Sequence, residues 1–221
     1  MLTDDETKSY WTPFTGDALE GPLKGASLKQ MELKQCRWSE WVRLHPESIV
    51  AYGSEQLREG HASGRTPGDT SGGGFLRLLL KPLDKRLPFN ELVLGVTIGG
   101  QSRAYSLSAL DAQPGRDTPN VVLNDTLGKE AIVIFHQRGS WLAAAFDRRL
   151  RGRSLRFTLG TDGRFIDSTY HSHWSYEGEA VDGPVAGRKL SYVTSRVEKW
   201  YIWAAYYSTT SIYESRPAGN N

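Results

Sequence analysis

The sequence predicts a mainly β protein of the α+β kind. It is built from one β-rich unit present twice, with one short helix per copy and the first copy incomplete. Three observations predict this. Seven Trp, ten Tyr and seven Phe in 221 residues favour pleated, half-buried surfaces. Apolar residues alternate with polar ones over most of the chain, and the period lengthens to that of a helix in only two short stretches. Finally, Gly178-Glu179-Ala180-Val181-Asp182-Gly183-Pro184 answers Gly16-Asp17-Ala18-Leu19-Glu20-Gly21-Pro22 at an offset of 162 positions. That offset also maps Gly187 onto Gly25, Leu190 onto Leu28, Trp200 onto Trp38 and Trp203 onto Trp41, giving eight identities between Gly16 and Ala51. Matches of rare residue types at one constant offset signal an internal duplication.

Taken in order, residues 1–53 form the partial first repeat. Asp4 to Thr7 is an acidic turn before a short strand, Ser9 to Trp11. Ala18-Leu19 is a strand held between turns, and Leu28 to Leu33 alternates as a half-buried strand does. Trp38, Trp41, Val42 and His45 then mark one face of a helix, which Pro46 stops, and Ser48 to Tyr52 closes as a strand.

Residues 54–91 form a linker and crossing segment. Gly60 to Gly74 is nearly devoid of apolar residues and reads as a flexible loop. Its run Gly68 to Gly74 lacks the Gly-Lys-Ser/Thr ending of a phosphate cradle. Residues 92–215 form the complete second repeat. Leu92–Ile98 and Ser102–Leu107 flank Gly99-Gly100 as a hairpin. Strands follow over Val121–Leu123, Ala131–Phe135, Trp141–Phe146 and Ser154–Leu159, and Asp162-Gly163 turns into Phe165-Ile166. Ser195 and Glu198 have the spacing of a capping box before Trp200, Trp203, Ala204 and Tyr207, and the first copy has no such cap. Residues 216–221 are a tail. Each helix face needs a cover, which predicts that the copies pack together about a pseudo-two-fold.

Composition excludes several classes of function. With 27 basic and 25 acidic residues, no field favours nucleic acid or an anionic membrane. No run approaches 18 apolar residues, so no membrane span is expected. A single cysteine, Cys36, permits neither an intrachain disulfide nor a thiolate zinc site. No signal peptide is visible, because Met1 leads directly into Leu-Thr-Asp-Asp-Glu.

Several motifs stand in a fixed order. They are Asp-x-Glu-Thr-x-Ser-x-Trp at 4–11, Gly-x-Ala-x-x-Gly-Pro-Leu-x-Gly at 16–25, Trp-x-x-Trp-x-x-x-His-Pro at 38–46 and Trp-Tyr-Ile-Trp-Ala-Ala-Tyr-Tyr at 200–207. With Leu92–Val96, Arg103-Ala104-Tyr105 and Val122–Asp125, they make nearly the whole chain resemble the bacterial and archaeal family of unknown function number 3179 (DUF3179). The resemblance implies no activity. It does imply an extracytoplasmic location, and a further β segment with a paired-cysteine motif ahead of the first copy. The chain therefore reads as N-terminally truncated.

The candidate chemistry is sparse. His171 and His173 lie two apart on a strand-like segment and would share a face, with Asp167 nearby and His136 upstream. Two imidazoles and a carboxylate suit a divalent metal such as zinc, the only cofactor the sequence suggests. Trp11 and Trp174, at strand ends after polar turns, are candidate stacking platforms, with Asp5 and Asp167 as polar partners in ligand binding. Trp38, Trp41, Trp200 and Trp203 have core spacing and are expected to pack on a sheet. No nucleophile elbow is present, and Cys36 reads as a lone, partly buried thiol. The leading functional reading is a non-catalytic module that binds a small polar ligand or a protein partner. Beside it stand a metal-dependent enzyme or metal-binding protein using Asp167, His171 and His173, and a structural cell-envelope domain.

Overall fold

The computed structural model describes residues 2–50, 84–115 and 117–214. In chain order the first segment contains β1 (Leu2–Thr3), β2 (Tyr10–Trp11), β3 (Ala18–Glu20) and helix α1 (Trp38–Leu44). Next come β4 (Leu92–Ile98), β5 (Gln101–Ser106), helix α2 (Leu107–Asp111), β6 (Asn120–Leu127), β7 (Glu130–Gln137) and β8 (Ala143–Asp147). Short strands follow: β9 (Arg149–Leu150), β10 (Arg153–Ser154), β11 (Phe157–Leu159), β12 (Phe165–Asp167) and β13 (His173–Trp174). The chain ends with β14 (Ser191–Val193), β15 (Ser195–Lys199), helix α3 (Trp200–Tyr206) and β16 (Ser211–Ile212). The expectation of a mainly β protein with short helices holds.

Two four-stranded sheets form the centre, ordered β15-β4-β5-β16 and β14-β8-β7-β6. All their pairings are antiparallel except β16 with β5. The β4–β5 hairpin turns through Gly99 and Gly100 at φ 58° and 74°, the left-handed pair that a two-residue loop requires. Alternation along each strand then divides the apolar residues between two layers. Leu94 and Val96 of β4 meet Ile132 and Ile134 of β7 in the core between the sheets. Val93 turns the other way, to Trp200 and Trp203 of α3. Val133 and Phe135 of β7 turn the other way too, and Phe157 of β11, Phe165 of β12 and Trp174 of β13 cover them. With both faces of each sheet covered, the apolar runs Leu92–Val96 and Ala131–Phe135 are continuous rather than alternating.

The first segment lies against this body through a few specific contacts. Phe14 stacks on Tyr206 at 4.1 Å, and the Arg196 guanidinium sits over Phe14. Lys34 pairs with Glu177 at 2.7 Å, and the Tyr192 hydroxyl donates to the Leu33 carbonyl.

Several expectations need correction. Leu28 to Leu33 is exposed and forms no strand: pairing stops after the Asp17–Ser27 bridge and the Leu28 N–H bond to the Gly16 carbonyl, and no strand among the described residues continues it. Residues 48–50 are not extended into a strand either, and 51–52 lie outside the described residues, as do the loop 60–74 and the tail 216–221. Ser195 to Glu198 is strand β15, not a helix cap: the Ser195 hydroxyl engages Tyr192 and the Ala145 N–H, and α3 begins after Lys199. The capping carboxylate stands instead in the first segment, where Glu40 accepts from the Arg37 N–H at 2.7 Å. Ser154–Leu159 divides into β10 and β11. Helix α2, which the apolar pattern did not announce, starts where the Ser106 hydroxyl accepts from the Ala109 N–H. The two helix faces do not cover each other: α3 packs on a sheet, and α1 leaves Trp38 and Trp41 open.

Candidate functional site: an arginine-lined cleft

The turn residues that seemed candidates for ligand binding are organisers of the backbone. Asp167 is fully buried, and its carboxylate accepts from the N–H groups of Thr169, Tyr170 and Ser172 and from the Trp174 indole at 2.9 Å. Asp4 does the same with Thr7, Ser9 and the Trp11 indole, also at 2.9 Å. The Trp11 indole and the backbone N–H groups hold the Asp4 carboxyl far below the usual carboxylate range. In each turn the serine hydroxyl, Ser9 or Ser172, then accepts from the N–H after the Gly-Pro pair, at Leu23 or Val185. Gly21 and Gly183 are required there, because a Cβ would lie 2.7 Å from Ser9 Cα and 2.6 Å from Ser172 Oγ. With their indoles spent and their rings buried, Trp11 and Trp174 offer no stacking platform. Asp5 is fully exposed and, among the described residues, meets Lys8 at 3.3 Å.

The histidines are held apart. His171 sits at φ 55°, which breaks the strand, so it does not share a face with His173 as the spacing predicted. His173 Nδ1 lies 2.7 Å from Asp182, with Asp162 beyond Nε2 at 3.7 Å, and Arg164 ties the two carboxylates together. His136, on β7, is buried between the Leu142 carbonyl at 3.1 Å and Asp111 at 2.8 Å. Both of its ring nitrogens are thus engaged, and the neighbouring Ser140 hydroxyl accepts from the Leu142 N–H. Among the described residues no group of three or more His, Cys, Asp or Glu side chains stands together as a metal cage would require.

The unspent chemistry lies elsewhere, where β5 of one central sheet meets β6, the edge strand of the other. A cleft of about 580 Å³ is lined by Arg103 of β5, Asn124 and Asp125 of β6, Arg148 and Arg156 flanking the β9–β10 hairpin, and Tyr213 and Glu214 after β16. Arg103 is fixed by Asp125 at 2.6 Å and by Ser211 at 3.0 Å. Burial opposes its charge, but the Asp125 carboxylate more than restores it. Asp125 also accepts from Tyr105, whose phenol is pushed well above its usual range by burial and then by that carboxylate. Asn124 is committed to both backbone groups of Phe157. Arg148 gives Nη1 to Ser154 and to the Leu155 carbonyl, while its Nε is buried without a hydrogen-bond partner among the described residues. Burial, and then the Arg156 charge, weaken its hold on its proton. The Arg156 side chain is exposed and makes no hydrogen bond or ion pair among the described residues. The arrangement can bind and orient an acceptor. The one signal for it in the sequence is a run of five arginines, at 148, 149, 151, 153 and 156.

A family model described as "Protein of unknown function (DUF3179)" matches residues 1–210. The chain belongs to the DUF3179 family. No curated protein and no solved structure matches it.

The DUF3179 motifs can now be assigned to causes. Asp-x4-Ser-x-Trp and the following Gly-Pro close the two buried turns. The Trp-x-x-Trp pairs occupy α1 and α3, whose ends at 38–44 and 200–206 are the same 162 positions apart. Their surroundings differ. Trp200 and Trp203 are 0% and 1% exposed, whereas Trp38 and Trp41 are 56% and 36% exposed and line a shallow groove with Cys36 and Trp141. The packing expected of all four tryptophans therefore describes only the second pair. The Cys36 thiol is raised by burial and by Glu40 and Glu177, the opposite of an activated cysteine.

Proposed function

We propose that this DUF3179 chain is a non-catalytic binding module that takes a small polar ligand in the arginine-lined cleft. One observation carries the reading. Asp4, Asp167, Asp182, His136 and His173 are each spent on a turn or an ion pair, whereas in the cleft, among the described residues, the Nε of Arg148 and the Arg156 side chain are uncommitted. Rigid walls support it: the lining comes from β5, β6 and the strand ends, which the central core holds in place. A pre-formed concave site with a few convergent polar groups is what small-ligand recognition uses.

The scaffold under this reading is a duplicated unit. Its support is the recurrence of one hydrogen-bond set at Asp4–Trp11 and Asp167–Trp174, now 163 apart, and of another at 16–28 and 178–190. In the second set, Leu28 N–H to Gly16 carbonyl matches Leu190 N–H to Gly178 carbonyl, at 2.9 and 2.8 Å. Each unit then uses its acidic residue to shape a turn, which leaves ligand chemistry to the strands between.

The test is a thermal-shift screen of sugars, amino acids, organic acids and phosphorylated compounds against the full chain, repeated on Arg156→Gln. A ligand that stabilises the parent and loses its effect in the variant is the expected result. If nothing in the screen acts through Arg156, the cleft is not a binding site.

A further inference from the structure

Resting on the reading of the cleft as a binding site, we infer that its ligand carries an oxyanion, a phosphate or carboxylate group, seated between Arg148 and Arg156. The lining residues hold three guanidiniums against two carboxylates, Asp125 and Glu214, and Asp125 is already committed to Arg103 and Tyr105. Arg148 and Arg156 therefore repel each other across the cleft. An anion between them would relieve that repulsion and accept from the exposed Arg156 guanidinium, beside Arg148, whose Nε has no hydrogen-bond partner among the described residues. The planar, forked guanidinium suits the paired oxygens of phosphate and carboxylate.

The Arg103–Asp125 pair contributes selectivity. It is pinned by Ser211, Tyr105 and the Thr126 carbonyl, so its carboxylate stands as a fixed acceptor beside the positive pair. A ligand bearing a hydroxyl or amino group next to its oxyanion would meet both. A bare polyanion would meet Asp125 and Glu214 as repulsion. The cleft thus favours a small molecule of low net charge over a nucleic acid strand, in line with the chain's net charge of +2.

The experiment is calorimetric titration of the full chain with inorganic phosphate and, separately, with lactate, at constant ionic strength. The Arg148 Nε–H resonance is followed by NMR, and glucose is the neutral comparison. Saturable binding of at least one oxyanion that shifts the Arg148 signal is expected. Arg156→Gln should weaken that binding about tenfold or more, the loss of one charge-assisted hydrogen bond. Arg188→Gln, at an exposed arginine away from the cleft, should leave it unchanged. Among the described residues the Arg156 side chain makes no hydrogen bond or ion pair, and the backbone bond from the Ser168 N–H survives the substitution, so the variant is expected to fold. Preference for phosphate or for lactate identifies the source of the oxyanion. Equal binding by parent and Arg156→Gln overturns the inference. So does a shift of Arg148 by glucose with none by either anion, although the binding-module reading then stands. Silence from every ligand class in both assays removes the inference and the reading together.

Discussion

The two tryptophan helices give a controlled comparison within one chain. Consider Trp200→Ala and Trp38→Ala, which occupy the first position of α3 and of α1. Trp200 is fully buried against Val93 and Ala104, and its indole donates to the Asp84 carbonyl at 3.1 Å. Truncating a buried Trp costs about 3–5 kcal/mol through lost transfer energy and the cavity left behind. Leaving the carbonyl short of its donor adds about 1 kcal/mol. The sum, about 4–6 kcal/mol, corresponds to a fall in Tm of roughly 8–24 °C for a chain of this size. Trp38 is 56% exposed, so Trp38→Ala should cost less than about 1 kcal/mol. Gly95→Ala supplies an independent check, because its Cβ would lie 2.2 Å from the Trp203 ring and force α3 off the sheet. Urea unfolding of the three variants, compared at constant m, measures all of this. If Trp38→Ala proves as costly as Trp200→Ala, the α1 face is covered in solution and the contrast drawn from burial is wrong. A cost near zero for Trp200→Ala would refute the packing argument itself.

Asp167→Asn should destabilise by about 3 kcal/mol, since a neutral amide replaces a buried carboxylate that accepts four N–H groups, while Asp5→Ala should be silent; denaturant midpoints compare them. His173, through its ring and its backbone N–H, lowers the Asp182 carboxyl from 3.8, so this contribution is complete above that value and lost as pH falls through the lowered one. Asp182→Asn should therefore flatten the acid limb of the stability–pH curve below about pH 4, and an unaltered limb would contradict it. Burial pushes the Tyr176 phenol from 10.0 up to about 12, so its contribution is complete below pH 10 and lost as pH rises towards 12, a loss that Tyr176→Phe should abolish. Replacing His171 and His173 by alanine should leave the zinc content of the purified protein unchanged by mass spectrometry; loss of stoichiometric zinc would revive the metal reading.

Local information sufficed wherever a short stretch sets its own geometry. Gly99-Gly100 implies a left-handed turn and hence the β4–β5 hairpin. The spacing of Trp38, Trp41 and His45 implies about two turns of helix, and α1 begins at Trp38 and stops at Leu44, with His45 as its C-cap. The constant offset between Gly16–Leu28 and Gly178–Leu190 was legible because glycine and proline report backbone conformation directly. What the sequence left open depends on partners distant in the chain. Leu28–Leu33 alternates like a strand but has no edge to pair with, and Ser195–Glu198 spells a helix cap but is captured by β4, over 90 residues away. His171 and His173 looked coplanar until a positive φ at His171 turned one of them out. Trp11 and Trp174 looked available until Asp4 and Asp167 claimed their indoles. The cleft was the least legible feature, because Arg103 of β5, Asp125 of β6, and Arg148 and Arg156 beside the β9–β10 hairpin come from separate parts of the chain and meet only in the folded structure. A sequence determines which residues carry charge and where the backbone must bend. Only the tertiary structure decides which charges find partners, and among the described residues the Nε of Arg148 and the side chain of Arg156 are left without them.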